Sequence, residues 1–140
     1  MIGVLFAVLT HTVTFALNQD DPYKGQYLSM DYNEYGDFGL NIKKANSFLT
    51  TNLDSASYYF QYAEELLDTT SQFQQTVYYF TQCNLKRKIF AYDKTIEQIA
   101  KEGLAIAEKN KFVYYEFQFH NILFILATTY TNQAHYHGLQ

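Results

Sequence analysis

Residues 93–111, DKTIEQIAKEGLAIAEKNK, decide the fold of this chain. Small or apolar residues recur along the stretch with the three- and four-residue spacing of one helix face, while Lys and Glu side chains occupy the rest of the surface. The pattern predicts an amphipathic α-helix over residues 92–110. Its apolar face consists of Ile96, Ile99, Ala100, Gly103, Ile106 and Ala107.

The same spacing recurs upstream in residues 54–70, DSASYYFQYAEELLDTT. Two amphipathic helices share part of such a pattern by default. However, both segments also place a small residue, Ala63 or Gly103, where a neighbouring helix must approach closely. We therefore interpret the pair as a helical repeat. Six positions coincide with those of the first segment at a single offset of 40: Ala56, Tyr59, Phe60, Ala63, Leu66 and Leu67.

Polar clusters divide the rest of the chain into further helices. A short, weak helix is expected over 40–49, and Asn52 or Asp54 can cap the helix that follows. Another helix is expected over 71–88 and a strongly apolar one over 112–131. The cluster 131–133 predicts a break, with a last helix starting near Ala134. Because short connections between helices make neighbours antiparallel, the sequence predicts an all-α ladder of stacked αα-hairpins over residues 39–140.

The ladder resembles the tetratricopeptide repeat, a helix–turn–helix unit of about 34 residues. The first-helix pattern of that family is matched by Leu123, Leu126, Ala127 and Tyr130, and Tyr136 and Leu139 fall where the next helix would begin. The second-helix pattern is matched by Ala56, Phe60 and Ala63, and loosely by Ile96, Ala100 and Gly103. Successive second helices lie 40 and then 43 residues apart, which implies longer helices or turns than the family uses.

The resemblance implies a right-handed solenoid and a non-catalytic scaffold that binds a protein or peptide. It is closest to the divergent segments found in exported bacterial sensor and regulator proteins, so the chain is expected to be the input part of a larger signalling protein. A membrane would then be reached only through regions beyond this chain. The last helix stops in mid-pattern, so a second copy, a partner or further repeats are expected to cover that end.

Composition narrows the possible functions. The 140 residues are 48% hydrophobic, which is enough for one domain with a core. A net charge of −4 argues against non-specific nucleic-acid binding, which needs surplus Lys and Arg. The single cysteine, Cys83, permits no intramolecular disulfide and is expected to be a buried, inert thiol.

The N-terminus reads MIGVLFAVLTHTVTFAL and resembles a secretory signal peptide. The apolar run is too short to span a membrane as a helix, and small residues precede a polar stretch. Cleavage is expected after Ala16, which predicts an exported, periplasmic or extracytoplasmic protein. No Lys or Arg precedes the apolar run, so an apolar N-terminal helix retained in the fold is the alternative. Residues 17–38 are interpreted as a polar arm.

No catalytic, cofactor or metal site is predicted. His135 and His137 lie two residues apart, so on a helix their rings point in different directions. The carboxylates of residues 31–37 lack the spacing and the terminal Glu of a calcium loop. The basic residues 86–88 suit the C-terminal end of a helix, where the dipole favours cations, better than they indicate an anionic partner.

The most informative remaining feature is a surplus of tyrosine. Adjacent tyrosines on a helix cannot all face inward, and an exposed Tyr offers contact area at low rotamer cost. The sequence therefore predicts a protein-interaction surface. The alternative is an exported helical-repeat protein that binds glycans through stacked Tyr rings. The surface candidates are Tyr58, Tyr62, Tyr78, Tyr79, Tyr114 and Tyr115.

Overall fold

The computed structural model describes residues 33–90 and 93–138, with side chains described as far as Thr131, and this part of the chain is all-α. The all-α class predicted from the sequence is thereby confirmed. Its helices are α1 (Gly36–Phe48), α2 (Leu53–Glu65), α3 (Gln72–Phe90), α4 (Lys94–Asn110) and α5 (Val113–Gly138). The predicted signal peptide lies outside the described residues. The predicted arm also lies there up to residue 32, and its last three residues belong to α1.

Side-chain caps fix where two of the helices begin. The Oδ1 atom of Asn52 accepts a hydrogen bond from the backbone N–H of Ser55 at 3.0 Å and so caps α2. Asp54, the other cap considered, lies within the helix. At the start of α4 the Asp93 carboxylate accepts from both the N–H and the hydroxyl of Thr95. These two hydrogen bonds lower the pKa of Asp93.

The connection between α4 and α5 is a Schellman turn. Lys111 adopts the left-handed conformation, with φ 58°, and its N–H donates to the carbonyl of Glu108. The N–H of Phe112 donates to the carbonyl of Ala107 at 2.9 Å. This two-residue connection turns the chain back on itself, so α5 packs antiparallel along α4.

The break predicted at residues 131–133 was wrong, because α5 is continuous from Val113 to Gly138. Threonine can end a helix by offering its hydroxyl to the backbone. Here the hydroxyls of Thr128, Thr129 and Thr131 instead donate to carbonyls one turn earlier in the same helix. The Thr131 hydroxyl, for example, lies 2.9 Å from the carbonyl oxygen of Ala127. The threonines are thus satisfied inside the helix and do not terminate it.

Each helix packs most extensively on a neighbour in the sequence: α1 on α2, α3 on α4, and α4 on α5. In addition, α3 contacts α5 in the same direction. Phe73, at the start of α3, contacts the rings of Phe112 and Tyr115, and Phe80, two turns later, contacts Tyr115 and Phe119. Helix α3 therefore lies between the other helices and is buried on most of its surface.

Of the six positions related by the offset of 40, the four that lie inside α2 have the same environment as their counterparts in α4. The last two do not: Leu66 is exposed where Ile106 is half-buried, and Leu67 is half-buried where Ala107 is fully buried. Ala56 and Ile96 are fully buried, Phe60 and Ala100 are buried, and Tyr59 and Ile99 are both half-buried. Of the small residues at the seventh step, Ala63 is fully buried and Gly103 packs against the ring of Phe119. The recurrence in the sequence thus corresponds to two helices that bury the same face.

Candidate functional site

Tyr58 and Tyr62 are the two predicted surface tyrosines that the structure leaves exposed. Both lie one turn apart on the outer face of α2, and their side chains are 59% and 50% exposed. The ring centroids are 6.2 Å apart with the planes tilted by 34°. Tyr59, which lies between them in the sequence, stacks on Phe48 of α1, and the ammonium group of Lys44 lies over its ring. The pair thus forms a small exposed aromatic surface on a fixed support.

The other four tyrosines are less accessible. Tyr78 and Tyr115 are buried in the core, which corrects the expectation that they form an exposed surface. Tyr79 and Tyr114 are half-buried and pack against the core. Adjacent tyrosines do face different sides of α3 and α5. However, α3 has neighbours on several sides, so both members of its pair find packing partners.

The Tyr78 hydroxyl is tied to α2. It donates to Oε1 of Glu64 at 2.5 Å, and its ring stacks on Phe60. Burial, followed by the hydrogen bond and the charge of Glu64, raises the pKa of Tyr78. Burial and Glu102 likewise raise the pKa of Tyr79. These tyrosines join α3 to the helices on either side.

Among the predicted packing residues, Ala127 is the exception. Its position in the family pattern requires a small residue at a close helix contact, but here it is exposed. Leu126 is buried, and Leu123 and Tyr130 are half-buried against the core. The face of α5 that carries Ala127 points away from α3 and α4, so no described helix covers it.

A pocket of about 430 Å³ lies between the C-terminal ends of α1 and α3 and the side of α5. This volume is within the range of small-ligand and peptide side-chain sites. The pocket combines apolar side chains with amides, a hydroxyl and two cations. Its lining residues are Asn46, Leu49, Thr50, Asn84, Arg87, Lys88, Ile125 and Leu126.

The charged residues that line this pocket are all cationic. No acidic residue lines it, although the chain as a whole is acidic. Within residues 33–90 and 93–131, neither Arg87 nor Lys88 forms an ion pair. Behind them, burial raises the pKa of the Cys83 thiol to about 12, although Arg87 and Lys86 act in the opposite direction. That thiol is fully buried and is no nucleophile at neutral pH.

From the sequence, the basic residues of the pocket were expected only to complement the end of a helix. Asn84 lies one turn before Lys88 on the same side of α3, and this polar grouping in the sequence could have indicated the site. Together these residues form a polar and cationic edge on the last turns of α3. Their apolar complement, Ile125 and Leu126, comes from a helix almost forty residues further along the chain.

The described residues contain no group of three side chains suited to a metal ion. None of their helices is long and apolar enough to cross a membrane. The chain matches no protein-family model, no curated protein and no solved structure in the three comparisons made. The pocket and the exposed aromatic residues are therefore interpreted on their own geometry.

Proposed function

We propose that this chain is a non-catalytic scaffold of stacked αα-hairpins that binds a peptide segment of a protein partner. The observation that carries the proposal is the pocket between α1, α3 and α5. It brings together side chains from three helices, and its cations lack acidic partners among the described residues. Such a mixed pocket suits a ligand that is itself part apolar and part anionic.

The apolar side of the pocket consists of Leu49, Ile125 and Leu126. Ile125 is 41% exposed and can still lose apolar surface to a ligand, whereas Leu126 is already buried. Burying such surface contributes roughly 25 cal/mol per Å². We infer that a single aliphatic or aromatic side chain of the ligand packs here.

The cationic side consists of Arg87 and Lys88. Both lie in the last turn of α3, where the helix dipole favours them by about 0.3–1 kcal/mol. A hydrogen bond to a charged group contributes more, about 1.5–3 kcal/mol. The helix dipole therefore stabilises these two cations less than a bound carboxylate would. The ligand we infer is a peptide that places an acidic group beside an apolar side chain.

Two observations support the stacked arrangement of hairpins in this proposal. The parallel course of α3 and α5, and the equal burial of residues 40 positions apart in α2 and α4, are what successive hairpins would show. Export through a cleaved segment over residues 1–16 belongs to the same proposal. Mass spectrometry of the protein from its own cell tests it, and an N-terminus that retains residues 1–16 would contradict it.

Selection from a random peptide library displayed on phage tests the pocket directly. We expect enriched peptides to share an acidic residue next to an apolar one. Their binding should fall at least tenfold with the Arg87→Ala, Lys88→Ala double variant, and also with Ile125→Asp. The matched control is Lys94→Ala, Lys101→Ala, which removes two cations from the outer face of α4. Peptides that bind all variants equally would contradict the proposal.

Glycan binding is the second candidate, and the exposed pair Tyr58 and Tyr62 favours it. Two rings on one face offer stacking area for sugar rings. An oligosaccharide array distinguishes the two functions. Glycan binding requires a hit that Tyr58→Ala, Tyr62→Ala abolishes and Arg87→Ala, Lys88→Ala leaves unchanged. Absence of any such hit would count against this candidate.

A further inference from the structure

Helix α5 carries a second apolar stripe on the side opposite its buried face. The buried face consists of Tyr115, Phe119, Ile122 and Leu126. The stripe, which we call the seam, alternates steps of four and three residues, the spacing of positions a and d in a coiled coil. Every member is exposed. The seam consists of Val113, Phe117, His120, Phe124, Ala127 and Thr131.

The exposure of the seam is unusual in degree. Phe117 and Phe124 are 62% and 69% exposed, the highest values among the large apolar residues of the described chain. They lie two turns apart on α5, and neither ring contacts another aromatic ring among the described residues. Thr131 turns its hydroxyl back to the carbonyl of Ala127, which leaves its methyl group at the surface. The seam is thus continuous and largely apolar over five turns.

We propose that the seam is covered by the seam of a second copy of this chain, with the two α5 helices antiparallel. This goes beyond peptide binding, because the seam and the pocket use different faces of α5. Among residues 113–131 the helix has a single fully charged side chain, Glu116. A charged partner would find nothing to pair with, whereas a second α5 is equally uncharged. Other faces of a chain with net charge −4 would repel each other more strongly.

The antiparallel direction follows from side-chain size. It places Phe117 opposite Ala127, so that a large residue meets a small one, and Val113 opposite Thr131, two β-branched residues of similar size. His120 then lies opposite Phe124. A parallel pair would instead set Phe against Phe in two layers and Ala against Ala in another, which overfills some layers and leaves others empty.

His120 lies at the edge of the seam that is nearer to α4. Its Nε2 atom lies 3.7 Å from Oε1 of Glu108 on α4, which is too far for a hydrogen bond, and both side chains are more than half exposed. Phe124 of the second copy would pack against the free face of the imidazole ring. The two layers in which His120 of one copy meets Phe124 of the other lie at the centre of the interface.

The area predicts a weak dimer. The two exposed Phe rings offer on the order of 250 Å² per copy, and the whole seam roughly 500 Å². The total of about 1,000 Å² lies below the range of stable protein–protein interfaces and within that of weak, transient ones, so we expect a dissociation constant in the micromolar range. The peptide pocket stays open in such a dimer.

Sedimentation equilibrium of the full chain across the micromolar range tests the dimer. We expect a monomer–dimer equilibrium that Phe124→Glu shifts to monomer, weakening association at least thirtyfold. The matched control is Phe90→Glu, a 60% exposed Phe outside the seam, which should associate like the unaltered chain. A chain that remains monomeric throughout, or a Phe124→Glu variant that dimerises normally, would overturn the proposal.

Disulfide trapping tests the direction independently of stability. An equimolar mixture of the Phe117→Cys and Ala127→Cys variants should form a crosslinked dimer of one copy of each, because these positions face each other. Neither variant alone should crosslink efficiently. The native Cys83 is fully buried and does not interfere. Efficient crosslinking of each variant with itself would show a parallel pair and overturn the antiparallel one.

Discussion

The ring of Phe119 on α5 lies directly against the backbone of Gly103 on α4. A β-carbon at position 103 would stand closer than 3.0 Å to three atoms of that ring. Phe119 is fully buried, so the ring has little room to move away. The absence of a side chain at Gly103 is what allows α4 and α5 to approach closely at this level.

Enlarging Gly103 should destabilise the protein. Gly103→Ala gains about 1 kcal/mol of helix propensity, but overpacking costs about 1–3 kcal/mol. We expect a net loss near 1 kcal/mol, and about 3 kcal/mol for Gly103→Leu. Urea unfolding measures both. In a Phe119→Leu background the penalty of Gly103→Ala should shrink, because less of the ring remains to collide. An unchanged penalty would mean that the two residues do not touch.

Lys111→Gly should stabilise the protein by about 0.5–1 kcal/mol. Lys111 holds a left-handed conformation that costs a residue with a β-carbon about 1–2 kcal/mol, and the larger unfolded-state entropy of Gly offsets part of the gain. Thermal unfolding should show a raised midpoint. The control Lys109→Gly, inside the last turn of α4, should lose about 1 kcal/mol. A loss of stability at position 111 as well would contradict the left-handed turn.

Asn52→Ala should cost about 1 kcal/mol, because the first turn of α2 loses the acceptor for the N–H of Ser55. Asn52→Ser should retain most of the stability, since serine caps helices well. Thr51→Ala changes the neighbouring exposed residue, so we expect it to have little effect. Chemical unfolding of the three variants checks the cap. Equal losses in Asn52→Ala and Asn52→Ser would show that the side-chain acceptor contributes nothing.

Tyr78→Phe should lower stability at neutral pH by about 1 kcal/mol, because the exposed acceptor Glu64 keeps the value of the hydrogen bond modest. The substitution should also make the free energy of unfolding depend less on pH in alkaline solution. The folded state raises the pKa of Tyr78 above its ordinary value of 10.0. The native chain therefore holds this proton more tightly than the unfolded chain does. Stability should fall as pH rises above 10.

The alkaline loss should be steepest in the unaltered chain and smallest in Tyr78→Phe. Glu64→Gln is the matched control, because it removes the charge but keeps an acceptor for the hydroxyl. We expect an intermediate slope, since burial is the larger cause of the raised pKa. Urea unfolding between pH 8 and pH 11 gives the three slopes. Identical slopes in all three proteins would contradict the role of Tyr78.

Hydrophobic periodicity predicted the all-α class because α2 and α4 each bury one face. The predicted starts of α2, α3 and α4 lie within two residues of those in the structure. The spacing also singled out Gly103 as a place of close approach, but the residue that approaches it, Phe119, comes from another helix. Local sequence contains no signal for that partner.

Two further features depend on the packed state. Which tyrosine of the pair 78–79 is buried depends on how α3 lies between α2 and α4, and a helical wheel places the two on different faces without saying which face is covered. The threonines near residue 131 are compatible with either a turn or a helix. Their hydroxyls donate to carbonyls within α5, so the helix continues past them. The pocket, likewise, needs three helices from distant parts of the chain.

The narrow junction between α2 and α3 has a consequence for how the molecule opens. The α1–α2 pair is extensively packed within itself but meets the rest mainly through Tyr78 and the contact of Tyr35 with Phe73. Amide hydrogens of α1 and α2 should therefore exchange with solvent together, at a lower free energy than those of α3, α4 and α5. Under mechanical or thermal stress this pair would detach first, as one cooperative unit.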